Sequence, residues 1–237
     1  MKFLKKILMR GIQEIKNAVY SARATFGVSK QQVNNDVPYI SQFAVPASAE
    51  ATMKGELLPM DDPHWRESGA LTPERYAMLA SNICGMASAA MAIEFFKGGS
   101  PKPAALAEDA LSAGVYQENK TGLTDMNYRK FAKWIQKFGL HADVYTRLNL
   151  RGIYHALSSG KLVMVSVNPN IRGYSLSRED QIGGHLVLVT GYDKTAHLVT
   201  INNPSGFLST NSQKGHVLTN DQFLRYFAGR GIVLARR

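Results

Sequence analysis

The apolar pattern of this chain changes character once along its length. Residues 72–138 read as helices, and from residue 161 onward the hydrophobic residues come in short β-branched or alternating runs. Thr72-Pro73-Glu74 is a helix start, with threonine as cap and proline in the first turn. Asn82 is placed to cap the run from Cys84 to Phe96, Asp125 to cap Tyr128 to Phe138, and Gly139 to stop that helix. The later runs are Lys161 to Val167, His185 to Tyr192, His197 to Asn202 and Gly231 to Ala235, each bounded by Gly, Asn, Asp or Pro. A helical half ahead of a mostly antiparallel sheet predicts an α+β fold.

Length and composition narrow the classes further. At 237 residues the chain suits one domain with an appendage. Its 45% hydrophobic residues are enough for a core and exclude wholesale disorder. The longest apolar run, Ile83 to Ile93, falls short of the ~20 residues of a membrane span. The single cysteine, Cys84, rules out an internal disulfide scaffold. No GxxxxGK[ST], GxGxxG or HExxH motif occurs, and no metal or cofactor is implied.

The net charge of +10 divides unevenly. Residues 1–30 hold seven bases (Lys2, Lys5, Lys6, Arg10, Lys16, Arg23 and Lys30) against one acid, Glu14. The remaining residues carry 21 bases and 17 acids, an ordinary balance, so no nucleic-acid partner is expected. Residues 1–20 form a basic amphipathic helix: Leu4, Leu8, Ile12, Ile15 and Val19 recur at helical spacing, widened by Phe3 and Ile7. Arg10, Gln13, Glu14 and Lys16 interrupt any secretory core. Three roles suit such a helix: packing its stripe on its own domain with the basic face solvated, docking on an anionic membrane or a protein partner, or acting as a pro-segment. Residues 21–36 are polar and predict a linker, with the main domain spanning 37–237.

Chemistry points to Cys84. The sequence places its thiol in the first turn of an apolar helix, where unpaired N–H groups and the dipole favour thiolate. Gly85 and Ala87 leave room for a substrate carbonyl, and the cysteine's own N–H faces the oxyanion that would form. A thiolate nucleophile needs a base. Of the six histidines, His185 alone follows two glycines, Gly183-Gly184, and opens an apolar strand, which is a rigid mount. That strand runs to Asp193, turns through Lys194-Thr195 and returns to Asn202-Asn203-Pro204 as a hairpin. A two-residue turn sets His185 against Pro204, and a three-residue turn sets it directly against Asn203. Either register leaves an amide oxygen near the imidazole, with Asn202 as the competitor.

Five collinear segments then resemble the bacterial cysteine peptidase family 39, papain-fold enzymes related to the double-glycine leader peptidases. They begin at Val37-Pro38-Tyr39-Ile40-Ser41-Gln42 and continue with Asn82-Ile83-Cys84-Gly85-Met86-Ala87 and the stretch from Leu157 to Val167. Gly184 to Asp193 and Val199 to Gly206 complete the set. The resemblance implies a papain-like fold with Cys84 as nucleophile, His185 as base, Asn203 as orienting residue and Gln42 as oxyanion donor. Two positions depart from the family: Asn203 stands where it usually has aspartate, and 42 positions separate Gln42 from Cys84, with Asn82 as the backup donor. The intervening segment Asp61 to Arg66 reads as packing rather than as a loop over the cleft.

The expectation is therefore a cysteine peptidase that hydrolyses a peptide or protein substrate through an acyl-enzyme. An acyl or peptidyl transferase uses the same triad, and a catalytically inactive binding module keeps only its shape. The lone thiol and the missing secretory core predict a cytoplasmic protein, with export as an effector or peripheral membrane association as the alternatives.

Overall fold

The computed structural model describes residues 2–28, 30–119, 122–173 and 178–237, the side chains of 2–5 and 25–27 excepted. Phe3 and Leu4 of the expected stripe lie outside the described side chains, as Ser29 of the expected linker lies outside the described residues. In chain order the elements are α1 (Lys2–Gly27), β1 (Gln32–Asn34), α2 (Ser48–Met53), α3 (Pro73–Ala80), α4 (Cys84–Lys97) and α5 (Pro103–Ser112). There follow the short pair β2 (Glu118–Asn119) and β3 (Gly122–Leu123), then α6 (Tyr128–Trp134), β4 (Leu140–Tyr145), α7 (Leu150–Ser158) and β5 (Leu162–Val167). The chain ends with β6 (His185–Asp193), β7 (Leu198–Asn202), β8 (His216–Thr219), α8 (Asn220–Tyr226) and β9 (Phe227–Arg236).

The main sheet has the order β4-β9-β5-β6-β7-β8, every neighbouring pair antiparallel, as an α+β fold requires. Strand β5 is apolar at five of its six positions and buried along its whole length, and β6 is buried from His185 to Tyr192. Both lie inside the sheet under helices. Helix α4 packs on β6, and its residues Gly85 to Ile93 are all buried, which explains why that run is apolar around its circumference. Side chains such as Met86, Met91 and Leu188, each fully buried, contribute about 1.5–3 kcal/mol apiece.

Several local expectations change. Thr72 caps α3 by accepting from the Arg75 N–H, as its sequence predicts. Asn127 rather than Asp125 caps α6, which gives way to a tighter 3-10 turn, Ile135–Phe138, before Gly139 ends it in the left-handed region. Asn82 does not cap α4; its amide donates to the Met78 carbonyl instead. The Asp61 to Arg66 segment packs only in part: Asp62 is buried, accepts from the Tyr76 hydroxyl and holds the His64 N–H, and Trp65 is half-buried, while Asp61, Pro63, His64 and Arg66 are exposed.

The expected linker is a correction. Helix α1 runs past residue 20 to Gly27, and β1 adds to the outer half of β6, Gln32 opposite Asp193 and Asn34 opposite Gly191. Residues 32–34 are thus part of the sheet, and the domain begins before residue 37. A three-residue strand of sequence Gln-Val-Asn has one apolar side chain to signal burial, too little for a pattern.

Candidate active site

The elements converge on one cleft of about 380 Å³ whose lining includes Cys84, Asn82, Tyr116, Tyr128, Arg172, His185 and Arg230. Helix α3 ends at Ala80 and α4 starts at Cys84 with its axis turned by 94°. That sharp joint leaves the start of α4 without a side-chain cap. Its first intrahelical donors are the N–H groups of Met86 and Ala87, both to the Ile83 carbonyl, which leaves those of Cys84 and Gly85 free of helical partners. Both free groups interact with the Cys84 sulfur, as does the N–H of Leu186 from the adjoining strand. Burial pushes the Cys84 thiol up, while the Leu186 N–H, the Arg172 charge and the two helix N–H groups pull against it.

His185 stands at the head of β6, one residue from the N–H that touches the sulfur. Its mount is the pair Gly183-Gly184, both at positive φ (83° and 103°). A Cβ on Gly183 would meet Ser166 Oγ at 2.6 Å, and one on Gly184 would meet the Gln181 amide. The glycines therefore serve a left-handed turn in a crowded place.

Asn203 Oδ1 lies 2.8 Å from His185 Nε2, so the structure brings these two together as the sequence predicts. The route differs. The β6–β7 loop is four residues long, Lys194 to His197, because Asp193 Oδ1 accepts the Ala196 N–H and His197 takes φ 55°. A bulge between Val189 and Gly191 shifts the register again. Neither expected turn forms. Asn202, the competitor, turns away: its amide donates to the Val37 carbonyl and its oxygen accepts from Gly215.

Arg172 carries no signal in the sequence. It is 4% exposed, and its guanidinium donates to the Ser205 carbonyl and hydroxyl and to the Pro169 carbonyl. Its Nη2 lies 3.3 Å from His185 Nδ1. A guanidinium has only donors, so Nδ1 is the acceptor and the imidazole hydrogen sits on Nε2, aimed at Asn203. Burial first and the Arg172 charge second hold His185 well below the ordinary imidazole range, with Asn203 pulling the other way. Burial also pushes Arg172 down to about 10, which keeps it cationic at neutral pH. Among the described residues no carboxylate pairs with it.

The other two expected features take different places. Gln42 is 1% exposed, and its Nε2 donates to the Ala80 carbonyl at the end of α3, 2.8 Å away; its Oε1 has no partner. It braces the joint that carries Cys84, while Asn82 lines the cleft itself. The space beside Gly85 is filled by Met126, Leu186 and Tyr116, so the missing side chain serves helix packing rather than substrate approach. The Tyr116 hydroxyl is buried without a partner and close enough to Cys84 to feel its charge. Among the described residues no cluster of His, Cys, Asp and Glu is arranged to hold a metal ion.

The structure thus brings a helix-borne thiol and a strand-borne imidazole into one cleft of an α+β domain. The chain belongs to the Peptidase_C39 like family, whose model matches residues 34–229. In fold it is similar to a protein of Bacillus anthracis assigned as a C39-like peptidase, with TM-score 0.52 and 14% identity, over 88% of this chain and 99% of that one. More distant in shape is the peptidase domain of Streptococcus ComA, a bi-functional ABC transporter involved in a quorum sensing pathway (TM-score 0.44, 17% identity, 66% of this chain and 93% of that one). A double glycine motif protease from an AMS/PCAT transporter, solved in complex with a leader peptide, matches with TM-score 0.43 and 19% identity over 65% and 84%. No curated protein matches the chain.

Proposed function

We propose that the protein is a cysteine peptidase that cleaves a peptide or protein substrate, with Cys84 as nucleophile, His185 as base and Asn203 as the residue that orients the imidazole. One observation carries this reading: Cys84, at an uncapped helix start, shares a cleft with an imidazole whose far nitrogen is held 2.8 Å from an amide oxygen.

The steps follow from the atoms. On attack the thiol proton passes to His185 Nδ1, whose contact with Arg172 Nη2 opens while Ser205 and Pro169 keep the guanidinium nearby, and a carbon–sulfur bond forms at the substrate carbonyl. The Cys84 N–H and a side-chain amide, Gln42 or Asn82, receive the oxyanion. An imidazolium beside a guanidinium is a strong acid, so it gives its proton to the leaving amine as the carbon–nitrogen bond breaks. Water then loses a proton to His185, its oxygen bonds to the acyl carbon, and the thiol leaves with that proton.

The test is incubation with a diverse library of tryptic peptides, reading new termini by mass spectrometry for the wild type and Cys84→Ala. New termini that vanish in the variant are expected. Identical peptide profiles would overturn the reading.

A further inference from the structure

Helix α1 is attached to the domain by its polar side. Gln13 donates to the Val144 carbonyl, Asn17 to the Thr146 hydroxyl and Tyr20 to the Gly152 carbonyl, and the Tyr20 ring stacks on Tyr145 at 4.1 Å. Lys16 pairs with Asp143, and the only acid of the segment, Glu14, pairs with Arg147. Of the three roles open to this helix, packing its apolar stripe on its own domain is therefore the one the contacts do not bear out. Leu8 is 64% exposed, Ile12 51%, Ile15 66% and Val19 46%, and their spacings of four, three and four align them on one face for ~17 Å of helix. That arrangement is costly for a helix facing only water, since an exposed contiguous stripe of this kind marks an interaction surface.

The charges around it choose the partner. Arg23 flanks the stripe, while Lys6 and Arg10 project with Gln13 from the other side of the helix; all three are exposed, and among the described residues none is paired with a carboxylate. With Glu14 neutralised by Arg147, the exposed surface of α1 combines aliphatic side chains with unopposed cations. Among the described residues no single helix is long and apolar enough to cross a membrane, so α1 is suited to lie along a surface rather than to span it. We infer that α1 docks the domain onto an anionic lipid surface, with Leu8, Ile12, Ile15 and Val19 entering the acyl boundary, Arg23 at the flank meeting lipid phosphates, and Lys6 and Arg10 attracted across the helix from about a Debye length. The polar anchoring on β4 and α7 holds the stripe outward before any lipid is met, so docking requires no unpacking of the domain.

The experiment uses the full chain with vesicles of phosphatidylcholine and phosphatidylglycerol (1:1) or of phosphatidylcholine alone, in sedimentation assays at low and high salt, beside size-exclusion runs without lipid. The expected result is binding to the anionic vesicles at least tenfold tighter than to neutral ones, since each cation near such a surface is worth roughly a fivefold gain. Binding should weaken at least tenfold at ~0.5 M salt, where charges are screened. Ile12→Glu/Ile15→Glu, both at exposed positions, should lose at least thirtyfold in vesicle affinity while keeping the wild-type circular dichroism spectrum and Cys84 alkylation rate. Equal binding to both vesicle types, or none to either, overturns the inference. So does a dimer that the same double variant dissociates while vesicle binding is absent, which would assign the stripe to a second copy of the chain.

Discussion

The guanidinium of Arg172 meets the imidazole of His185 nitrogen to nitrogen, Nη2 to Nδ1, at 3.3 Å. The contact places a buried positive charge against the base, and it works in two directions. It disfavours imidazolium at His185 and favours thiolate at Cys84. Because burial and Arg172 both lower the His185 pKa, the neutral base persists below the ordinary value near pH 6.5, and the acid limb of kcat/KM should lie below it. Arg172→Gln removes one of the two causes. Its acid limb should move up toward 6.5, and its thiol alkylation profile should shift to higher pH. Both limbs are midpoints, read independently of how much variant folds. Unchanged midpoints would show that Arg172 only fills space.

Gln42 and Asn82 are the two side-chain amides proposed to receive the oxyanion, and their surroundings differ. Gln42→Ala should lower stability, because the substitution orphans the buried Ala80 carbonyl and empties a closed site. A loss of about 1–3 kcal/mol in denaturant unfolding is expected for Gln42→Ala, and about 1 kcal/mol or less for half-buried Asn82→Ala, whose amide makes one long bond to the Met78 carbonyl. Single-turnover rates on the folded variants identify the donor as the one whose loss slows acylation about a hundredfold or more.

Tyr116 lines the cleft, and its hydroxyl is buried beside Gly85 without a partner. A buried donor left unmade costs stability in the free protein, and a small shift of the ring toward an entering substrate carbonyl would give it a partner. Tyr116→Phe is therefore expected to lower kcat/KM about tenfold and to leave the melting temperature equal or raised. A fall in melting temperature with activity intact would contradict this role.

The turn ahead of His185 should tolerate little. Gly184 takes φ 103°, where an L side chain is strained, and a Cβ there would press on the Gln181 amide. Gly184→Ala should cost about 1–3 kcal/mol in stability and, by shifting the imidazole, reduce kcat at least tenfold in the fraction that folds.

Much of this site was legible beforehand, and the reasons are local. Cys84 at a helix start, His185 behind two glycines and Asn203 before a proline each carry a chemical signature within a few residues. The pairing of His185 with Asn203 came through although the expected turn did not form. A hydrogen bond from the Ala196 N–H to the Asp193 carboxylate and a left-handed His197 lengthened the loop, and both tolerate more sequences than a two-residue turn does. Arg172 had no such signature, since a lone arginine before a glycine is ordinary until folding carries it to His185. The α1 stripe was legible as a stripe; periodicity does not say which side of a helix meets the domain, and here hydrogen bonds from Gln13, Asn17 and Tyr20 decide it.

The pairing of nucleophile and base is tested most directly by alkylation with iodoacetamide at pH 7. Cys84 is the only cysteine, so every modified molecule reports on that sulfur. If His185 takes its proton, His185→Ala should react at least tenfold more slowly than the wild type, with the folded spectrum unchanged. Equal rates in the two proteins would contradict the account.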